Sequence, residues 1–268
     1  MPKIKVNGVS LYYEVLGKGH PVLLIAGLGS DVSSWASVAD RLSARFKVIA
    51  FDNRGVGRSD APNKGYTIRQ MAGDAVRLLD HLKIKRAHVI GHSMGGYIAQ
   101  ELAINHSERV DKLILESTSF VSSKRNNLLF SDFHRKLKMG EDLETWMRRW
   151  TRWLFTKRCL ARKVFIKAFI KNGLNYPYFQ QAEGFKGQIS AIASFNTRER
   201  LYSIKAETLV IEGEEDKLIL PKEAAALARN IAGSIFQSVK DSAHCIHIER
   251  PGLFVKIVMK FLLPHLTL

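Results

Sequence analysis

A serine at position 93 lies between closely spaced glycines, in the segment Gly-His-Ser-Met-Gly-Gly at 91–96. An apolar run at 87–90 precedes this segment and a helical pattern at 97–104 follows it, which predicts a strand, a tight turn and a helix. A turn of this kind holds a serine hydroxyl exposed on a strained backbone, as a nucleophile requires. We therefore predict that Ser93 is a nucleophile; the alternative is a glycine-rich turn that only begins a helix.

A serine hydroxyl is a weak nucleophile at neutral pH, so it needs a base and a carboxylate that orients the base. Asp216 ends an acidic cluster directly after the apolar run at 208–212, and His244 follows the run at 235–239. The order serine, acid, histidine, with each residue in a loop after a strand, is typical of one class of serine hydrolases. The sequence therefore predicts a catalytic triad of Ser93, Asp216 and His244.

Two other residues compete for the same roles. His247 lies three positions after His244 and is a rival base, while Glu116 follows the apolar run at 110–115 and is a rival acid. We prefer Asp216 to Glu116, because Asp216 already lies in the matching loop. A nucleophile uses one positioned base, and the residues alone leave both His244 and His247 open for that role.

The elements that must position these residues alternate along the chain, which indicates an α/β protein. Strands are predicted at 11–15, 22–26, 48–51, 87–90, 110–115, 208–212 and 235–239. Helices are predicted at 35–46, 68–82, 97–104 and 222–231, and from about 251 onward. Between 119 and 200 the alternation stops and only helical patterns rich in Trp, Phe, Lys and Arg are found. We predict an α/β core formed by 1–118 and 201–268, interrupted by a helical insert at 119–200.

Outside the insert, the chain resembles the α/β-hydrolase-fold family of serine esterases and lactonases. The resemblance rests on segments 26–29, 52–59, 91–95, 213–216 and 243–251. It implies a mostly parallel central sheet flanked by helices with a helical cap insert, and it assigns Ser93, Asp216 and His244 as nucleophile, acid and base. It also implies an oxyanion hole formed by the backbone N–H groups of Leu28 and Met94.

Two positions depart from the family pattern. Ala26 stands where a histidine is usual before the oxyanion-hole glycine, and Ala243 stands where a glycine is usual before the base. Because the hole uses backbone N–H groups, its donors remain, and we expect only the support of the loop to differ.

The insert is expected to form a cap over the active site. Trp146, Trp150 and Trp153 recur at i, i+4 and i+7, which places them on one face of a helix. The spacing favours a face that packs the cap onto the core; the more specific hypothesis is that the three tryptophans line the substrate pocket.

The charge of the chain is concentrated in the same insert. The net charge is +16, and residues 120–200 carry 17 Lys and Arg against 6 Asp and Glu. Such an asymmetry predicts an acidic partner, an anionic surface or an acidic substrate, and the alternative is a solvated helical face. Weak association with an anionic membrane is a further hypothesis. Nucleic acid binding is not expected, because no recognition motif accompanies the charge.

A more specific hypothesis follows from the resemblance to pimeloyl-acyl-carrier-protein methyl ester esterases. In it, an acidic acyl carrier protein docks on basic side chains beside the pocket. The residues predicted to take part are Arg148, Arg149, Arg152, Arg158 and Arg162.

The composition excludes several classes of protein. The chain is 46% apolar and 25% charged, and its apolar runs are far shorter than the roughly 20 residues of a membrane span. The first residues lack the apolar segment of a signal peptide, and two cysteines cannot form a disulfide framework. We expect a cytoplasmic protein without a transmembrane segment. No cluster has zinc-ligand spacing or a phosphate-loop pattern, so we expect no metal and no cofactor.

The predicted activity is hydrolysis of a carboxylic ester or lactone through an acyl-serine intermediate. A small-molecule or acyl ester is the expected substrate. The alternative from another class is a non-catalytic ligand-binding receptor on the same scaffold.

Overall fold

The computed structural model describes residues 2–263 of the 268-residue chain. Met1 and residues 264–268, which end the predicted core range, lie outside the described residues. The described residues contain an eight-stranded sheet, whose strands are β1 (Lys3–Val6), β2 (Val9–Leu16), β3 (His20–Ile25), β4 (Phe46–Phe51), β5 (Ala87–His92), β6 (Val110–Glu116), β7 (Glu207–Gly213) and β8 (Ile235–Val239).

The strands lie in the order β1-β2-β4-β3-β5-β6-β7-β8. The first two strands pair antiparallel, β2 pairs antiparallel with β4, and all later pairs are parallel. The predicted mostly parallel sheet is confirmed. Parallel strands are usually covered on both faces, which explains why β3 and β5 are nearly continuous apolar runs.

Helices cover both faces of the sheet. Their bounds are α1 (Ala36–Leu42), α2 (Ile68–His81), α3 (Met94–Asn105), α4 (Lys124–Lys138), α5 (Leu143–Leu154), α6 (Lys157–Leu160), α7 (Lys163–Leu174), α8 (Ala182–Ala193), α9 (Pro221–Arg229), α10 (Ile246–Glu249) and α11 (Pro251–Leu262). Two hydrophobic cores result, one on each face of the sheet. One contains residues of α2, α3 and α9, and the other contains residues of α1 and α11.

The segment between β6 and β7 contains the five helices α4 to α8. Its two ends meet at an antiparallel bridge between Val121 and Asn196. The side chains of this segment pack on the same core as α2 and α3, so the insert covers one side of the sheet. Within residues 2–263, no helix has the length and hydropathy needed to cross a membrane.

Two elements differ from the sequence prediction. The first is β1, which the sequence analysis did not predict. Its four residues alternate between exposed lysines and the apolar Ile4 and Val6, and it pairs antiparallel with β2. The second is the helix predicted at 35–46, which is a short 3-10 turn at Val32–Trp35 followed by α1. Phe46 continues the helical spacing but begins β4, because both a helix and a strand can bury an apolar residue at that position.

Candidate functional site

Ser93 lies on a sharp turn between β5 and α3. Its backbone has φ 53° and ψ −116°, a strained conformation for a residue with a side chain. The Ser93 N–H donates to the Glu116 carbonyl at 2.9 Å, which ties the turn to β6. A Cβ at Gly95 would lie 2.0 Å from the Ile25 carbonyl oxygen, so glycine is required where the turn packs on β3. The turn therefore holds Ser93 at the carboxyl edge of the sheet.

Asp216 and His244 form a buried pair beside this edge. His244 Nδ1 lies 2.7 Å from Asp216 Oδ2, and the other Asp216 oxygen accepts the N–H groups of Leu218 at 2.7 Å and Ile219 at 3.1 Å. Three hydrogen bonds thus orient the carboxylate, which in turn holds the proton of His244 on Nδ1. Nε2 is then the nitrogen available as a base. Ser93 and His244 both line one cavity.

The backbone around His244 is held from two sides. Glu249 accepts the Ala243 N–H at 3.2 Å and the Thr156 hydroxyl, which links the loop to α6 of the insert. His92 Nε2 lies 3.0 Å from the His244 carbonyl oxygen and donates to it. Burial lowers the pKa of His92 well below its usual value, and neighbouring His247 and His244 lower it further, so the ring is neutral with its proton on Nε2. These contacts fix where the His244 ring lies.

The rival base and the rival acid pair with each other. His247 Nδ1 lies 2.9 Å from Glu116 Oε1, which also accepts the His247 backbone N–H at 3.0 Å. Their side chains are 1% and 0% exposed, and neither is among the residues that line the cavity. Trp35 covers the His247 ring at a centroid distance of 4.4 Å. This pair is buried in the protein interior outside the cavity and does not contact a substrate bound there.

Glu212 is a buried carboxyl that lies next to Asp216. One of its oxygens accepts the Gly213 N–H at 2.9 Å, and among the described residues the other has no donor. Burial raises the pKa of Glu212 well above its usual value, and the charge of Asp216 raises it further. Glu212 therefore keeps its proton to a higher pH than an exposed glutamate does, because burial and the neighbouring Asp216 charge both disfavour its ionised form.

We expect Glu212→Gln to become more stable relative to the wild type as pH rises. At pH values above the pKa that Glu212 has in the unfolded chain, unfolding releases a proton that the folded protein holds. The free energy of unfolding of the wild type therefore falls as pH increases. Glutamine does not titrate and removes that cost, so the difference in free energy of unfolding should grow with pH, by at most about 1.4 kcal/mol per pH unit for one proton. Urea unfolding between pH 5 and 8 measures it.

Glu215→Gln is the matched control, because it removes a carboxyl that is exposed in the same turn. A constant difference between Glu212→Gln and the wild type across this pH range would show that Glu212 is ionised in the folded protein.

The segment at 26–29 approaches Ser93 from β3. Leu28 lines the cavity, and Met94 is the first residue of α3, so its N–H has no acceptor within the helix. Met94 therefore directly follows Ser93, and Leu28 lines the same cavity as Ser93. A Cβ at Gly27 would lie 3.2 Å from the Ser93 Cβ, which shows how closely the loop passes the serine.

The support of this loop comes from two residues that the sequence analysis missed. Asn53 Nδ2 donates to the Ala26 carbonyl at 3.0 Å, and Gln188 of α8 accepts the Gly29 N–H at 3.0 Å. Gln188 also donates to the Arg54 carbonyl at 3.0 Å. These contacts hold the loop on both sides of Leu28. Gln188 lies 159 positions after Gly29 and belongs to no local motif, so the sequence contained no signal for it.

The cavity has a volume of about 450 Å³ and lies between the sheet edge and the insert. Aromatic side chains form much of its wall: Phe130, Trp146, Trp150, Phe169, Phe179 and Phe185. The opposite wall is polar, with Ser30, Asp31, Ser33, Ser34 and Ser37. Among the described residues, no lysine or arginine lines it.

The structure places the three predicted pocket tryptophans differently. Trp146 and Trp150 line the cavity, but Trp153 is not among the lining residues and packs against the hydrophobic core instead. The cavity-facing stripe of α5 continues through Met147 and Leu154. The centre of this stripe is rotated around the helix axis away from Trp153, which therefore lies at the margin of the stripe. The expectation that Trp153 lines the pocket is corrected.

The five predicted docking arginines lie outside the cavity; they are Arg148, Arg149, Arg152, Arg158 and Arg162. Arg148 makes an ion pair with Glu144 at 2.5 Å. Arg149 makes one with Glu141 at 2.5 Å. Such pairs reduce the positive charge that the insert offers to a partner. The aromatic face of α5 points inward, which does not favour its binding flat on a membrane.

Comparisons with known proteins agree with this geometry. The family described as alpha/beta hydrolase fold matches residues 20–251. The chain is 28% identical over 261 residues to a putative carbamate hydrolase RutD of Azorhizobium caulinodans, covering 97% of this chain and 98% of that one. It is 29% identical to 3-oxoadipate enol-lactonase 2 of Acinetobacter baylyi, covering 96% of each chain. The crystal structure of the enol-lactonase from Burkholderia xenovorans LB400 is similar with a TM-score of 0.89 and 32% identity, covering 97% of this chain and 99% of that one.

Proposed function

Because the chain belongs to the alpha/beta hydrolase fold family, we propose that it is a serine hydrolase that cleaves carboxylic esters through an acyl-Ser93 intermediate. The observation that carries this proposal is that His244 lies 2.7 Å from Asp216 and lines the same cavity as the strained Ser93. No other buried histidine–carboxylate pair among the described residues opens to that cavity.

In the proposed mechanism, His244 Nε2 takes the proton of the Ser93 hydroxyl as its oxygen attacks the ester carbonyl carbon. Asp216 keeps Nδ1 protonated and stabilises the imidazolium that forms. His244 then gives the proton to the leaving alcohol oxygen as the C–O bond breaks. Water, deprotonated by the same nitrogen, hydrolyses the acyl-enzyme and restores Ser93.

The tetrahedral intermediates carry a negative oxygen, and we propose that the N–H groups of Leu28 and Met94 bind it. Met94 begins α3, whose N-terminus favours a negative charge at this point. Removal of one such donor in other hydrolases costs roughly 10²–10³-fold in rate. Gln188 acts here as a positioning residue, since it holds Gly29, the neighbour of Leu28.

We further propose that the insert at 119–200 serves as a cap and that the preferred substrate is uncharged in its acyl part. Eight Phe, Trp and Tyr residues and no lysine or arginine among the described residues line the cavity, and Asp31 is on its polar wall. Burying a carboxylate there without a partner costs several kcal/mol. The relative named 3-oxoadipate enol-lactonase 2 acts, by its name, on an enol-lactone of 3-oxoadipate. We propose that this chain prefers a neutral ester or lactone.

A matched pair of substrates tests the proposed activity and its specificity: p-nitrophenyl hexanoate and mono-p-nitrophenyl adipate, which have six-carbon acyl chains. We expect hydrolysis of both, with kcat/KM lower for the adipate by about 10²-fold or more. Asp31→Asn should narrow this difference, because it removes the negative charge on the polar wall. Equal kcat/KM values for the two esters would contradict the preference, while no hydrolysis of either would contradict the esterase activity.

The other hypotheses stay as predictions. A carrier-protein partner is not part of this proposal, because Arg148 and Arg149 are already paired with acidic side chains of the insert. A non-catalytic receptor would leave Ser93 unreactive, whereas we expect a fluorophosphonate probe to label Ser93. The cytoplasmic location also stays a prediction.

A further inference from the structure

Three potential metal ligands meet at the amino edge of the sheet, at the opposite end of the strands from Ser93. His20 begins β3, His88 is the second residue of β5, and Asp111 is the second residue of β6. Their ligand atoms all lie within 4.8 Å of one another. His20 Nε2 is 2.9 Å and His88 Nδ1 is 3.5 Å from the same oxygen, Asp111 Oδ2. Three adjacent parallel strands therefore bring two imidazoles and one carboxylate together.

His88 has a buried nitrogen without a partner. The residue is 6% exposed, and its Nδ1, which faces the cluster, makes no hydrogen bond to any described residue. Buried polar atoms are nearly always hydrogen-bonded or bound to an ion. Phe46 packs edge-on against one side of the ring and His20 lies against it at a centroid distance of 4.2 Å, so the ring is held in place. The free nitrogen thus lies within 4.8 Å of the ligand atoms of both other side chains.

We propose that His20, His88 and Asp111 bind a divalent transition-metal ion, with zinc as the best match. Zinc binds imidazole nitrogen and carboxylate oxygen at about 2.0–2.2 Å, which places tetrahedral ligand atoms roughly 3.3 Å apart. The observed 2.9 and 3.5 Å separations need only small side-chain movements to reach that geometry. Imidazoles disfavour magnesium and calcium, which prefer oxygen ligands.

The surroundings leave room for such an ion. The side chains of His20 and Asp111 are 44% and 30% exposed, so an ion reaches the cluster from solvent and a water molecule completes its coordination. Arg86 lies 3.6 Å from the other oxygen, Asp111 Oδ1, and Lys112 is paired with Glu207 at 2.9 Å. These cations weaken binding but leave Oδ2 available.

The ion would tie β3, β5 and β6 together at their amino ends. His88 and Ser93 are five residues apart along β5, which is roughly 16 Å of strand. The role is therefore structural and independent of the proposed hydrolysis. The ligands are separated by 68 and 23 positions, so no zinc-binding spacing is present in the sequence, and the expectation of no metal site followed from that.

Zinc binding to the full chain tests the proposal. After dialysis against a chelator, the protein is titrated with ZnCl₂ in a calorimeter and with CoCl₂ in a spectrophotometer. We expect one ion per chain, a visible spectrum of tetrahedral cobalt, and a rise in Tm of about 5 °C when zinc is about 100 times its Kd. His20→Gln and Asp111→Asn should each weaken binding about tenfold or more.

His106→Gln is the matched control, because His106 lies at the end of α3 and is not part of the cluster. It should bind zinc as the wild type does. MgCl₂ at the same concentration should leave Tm unchanged. The proposal is overturned if the wild type takes up no zinc, or if His20→Gln and Asp111→Asn bind it within threefold of the wild type.

Discussion

Ser93→Ala should lower kcat for p-nitrophenyl hexanoate by about 10⁴-fold or more while the protein stays folded. Removal of the nucleophile leaves only the oxyanion hole and binding to accelerate the reaction, and nucleophile deletions in other serine hydrolases cost up to roughly 10⁶-fold. Alanine keeps the small side chain that the turn at φ 53° already accommodates. We therefore expect Tm to change by less than a few degrees, so that the loss is one of chemistry.

Ser37→Ala provides the matched control, since Ser37 lines the same cavity on its polar wall. It should retain kcat within about tenfold, because it removes a neutral hydroxyl that takes no part in the proposed chemistry. A fluorophosphonate probe should label the wild type and Ser37→Ala but not Ser93→Ala. Hydrolysis by Ser93→Ala at the wild-type rate would exclude the acyl-serine mechanism.

The fold was readable from the sequence because its main signals are local. The apolar runs of β3 and β5 reflect burial on both faces, and the glycines around Ser93 reflect contacts made within a few residues of the turn. Ser93 comes directly after β5, and Asp216 and His244 lie in the loops that follow β7 and β8, so their positions relative to predicted strands could also be seen in the sequence. Patterns of this kind predicted the α/β fold, which is confirmed.

The contacts that were missed are long-range and have no local pattern. Gln188 reaches Gly29 across 159 positions, and the ligand atoms of His20, His88 and Asp111 meet only through sheet register. Trp153 was assigned to the pocket because spacing defines a face of a helix but not the width of the stripe that meets a cavity. The net charge of the insert also did not show which of its cations are free to bind a partner, since Arg148 and Arg149 are paired with acidic neighbours.

The two histidines in the loop after β8 should differ sharply when each is replaced. His244→Ala is expected to lower kcat by about 10³-fold or more, because Ser93 loses the base that takes its proton. His247→Gln should retain kcat within about tenfold, because His247 is buried against Glu116 and does not line the cavity. We expect His247→Gln to lower the stability of the protein instead, because glutamine is a weaker partner for the buried Glu116 side chain.

The measurement that separates them is kcat against Tm for both variants. For His244→Ala we expect a large loss of kcat with a small change in Tm, and for His247→Gln a lower Tm with most of kcat retained. Excess imidazole offers a further readout, because a small base can enter the space left in His244→Ala and restore part of the rate. If His247→Gln lost as much kcat as His244→Ala while remaining folded, the base would have to be reassigned. The Asp216–His244 contact of 2.7 Å would then be structural rather than catalytic.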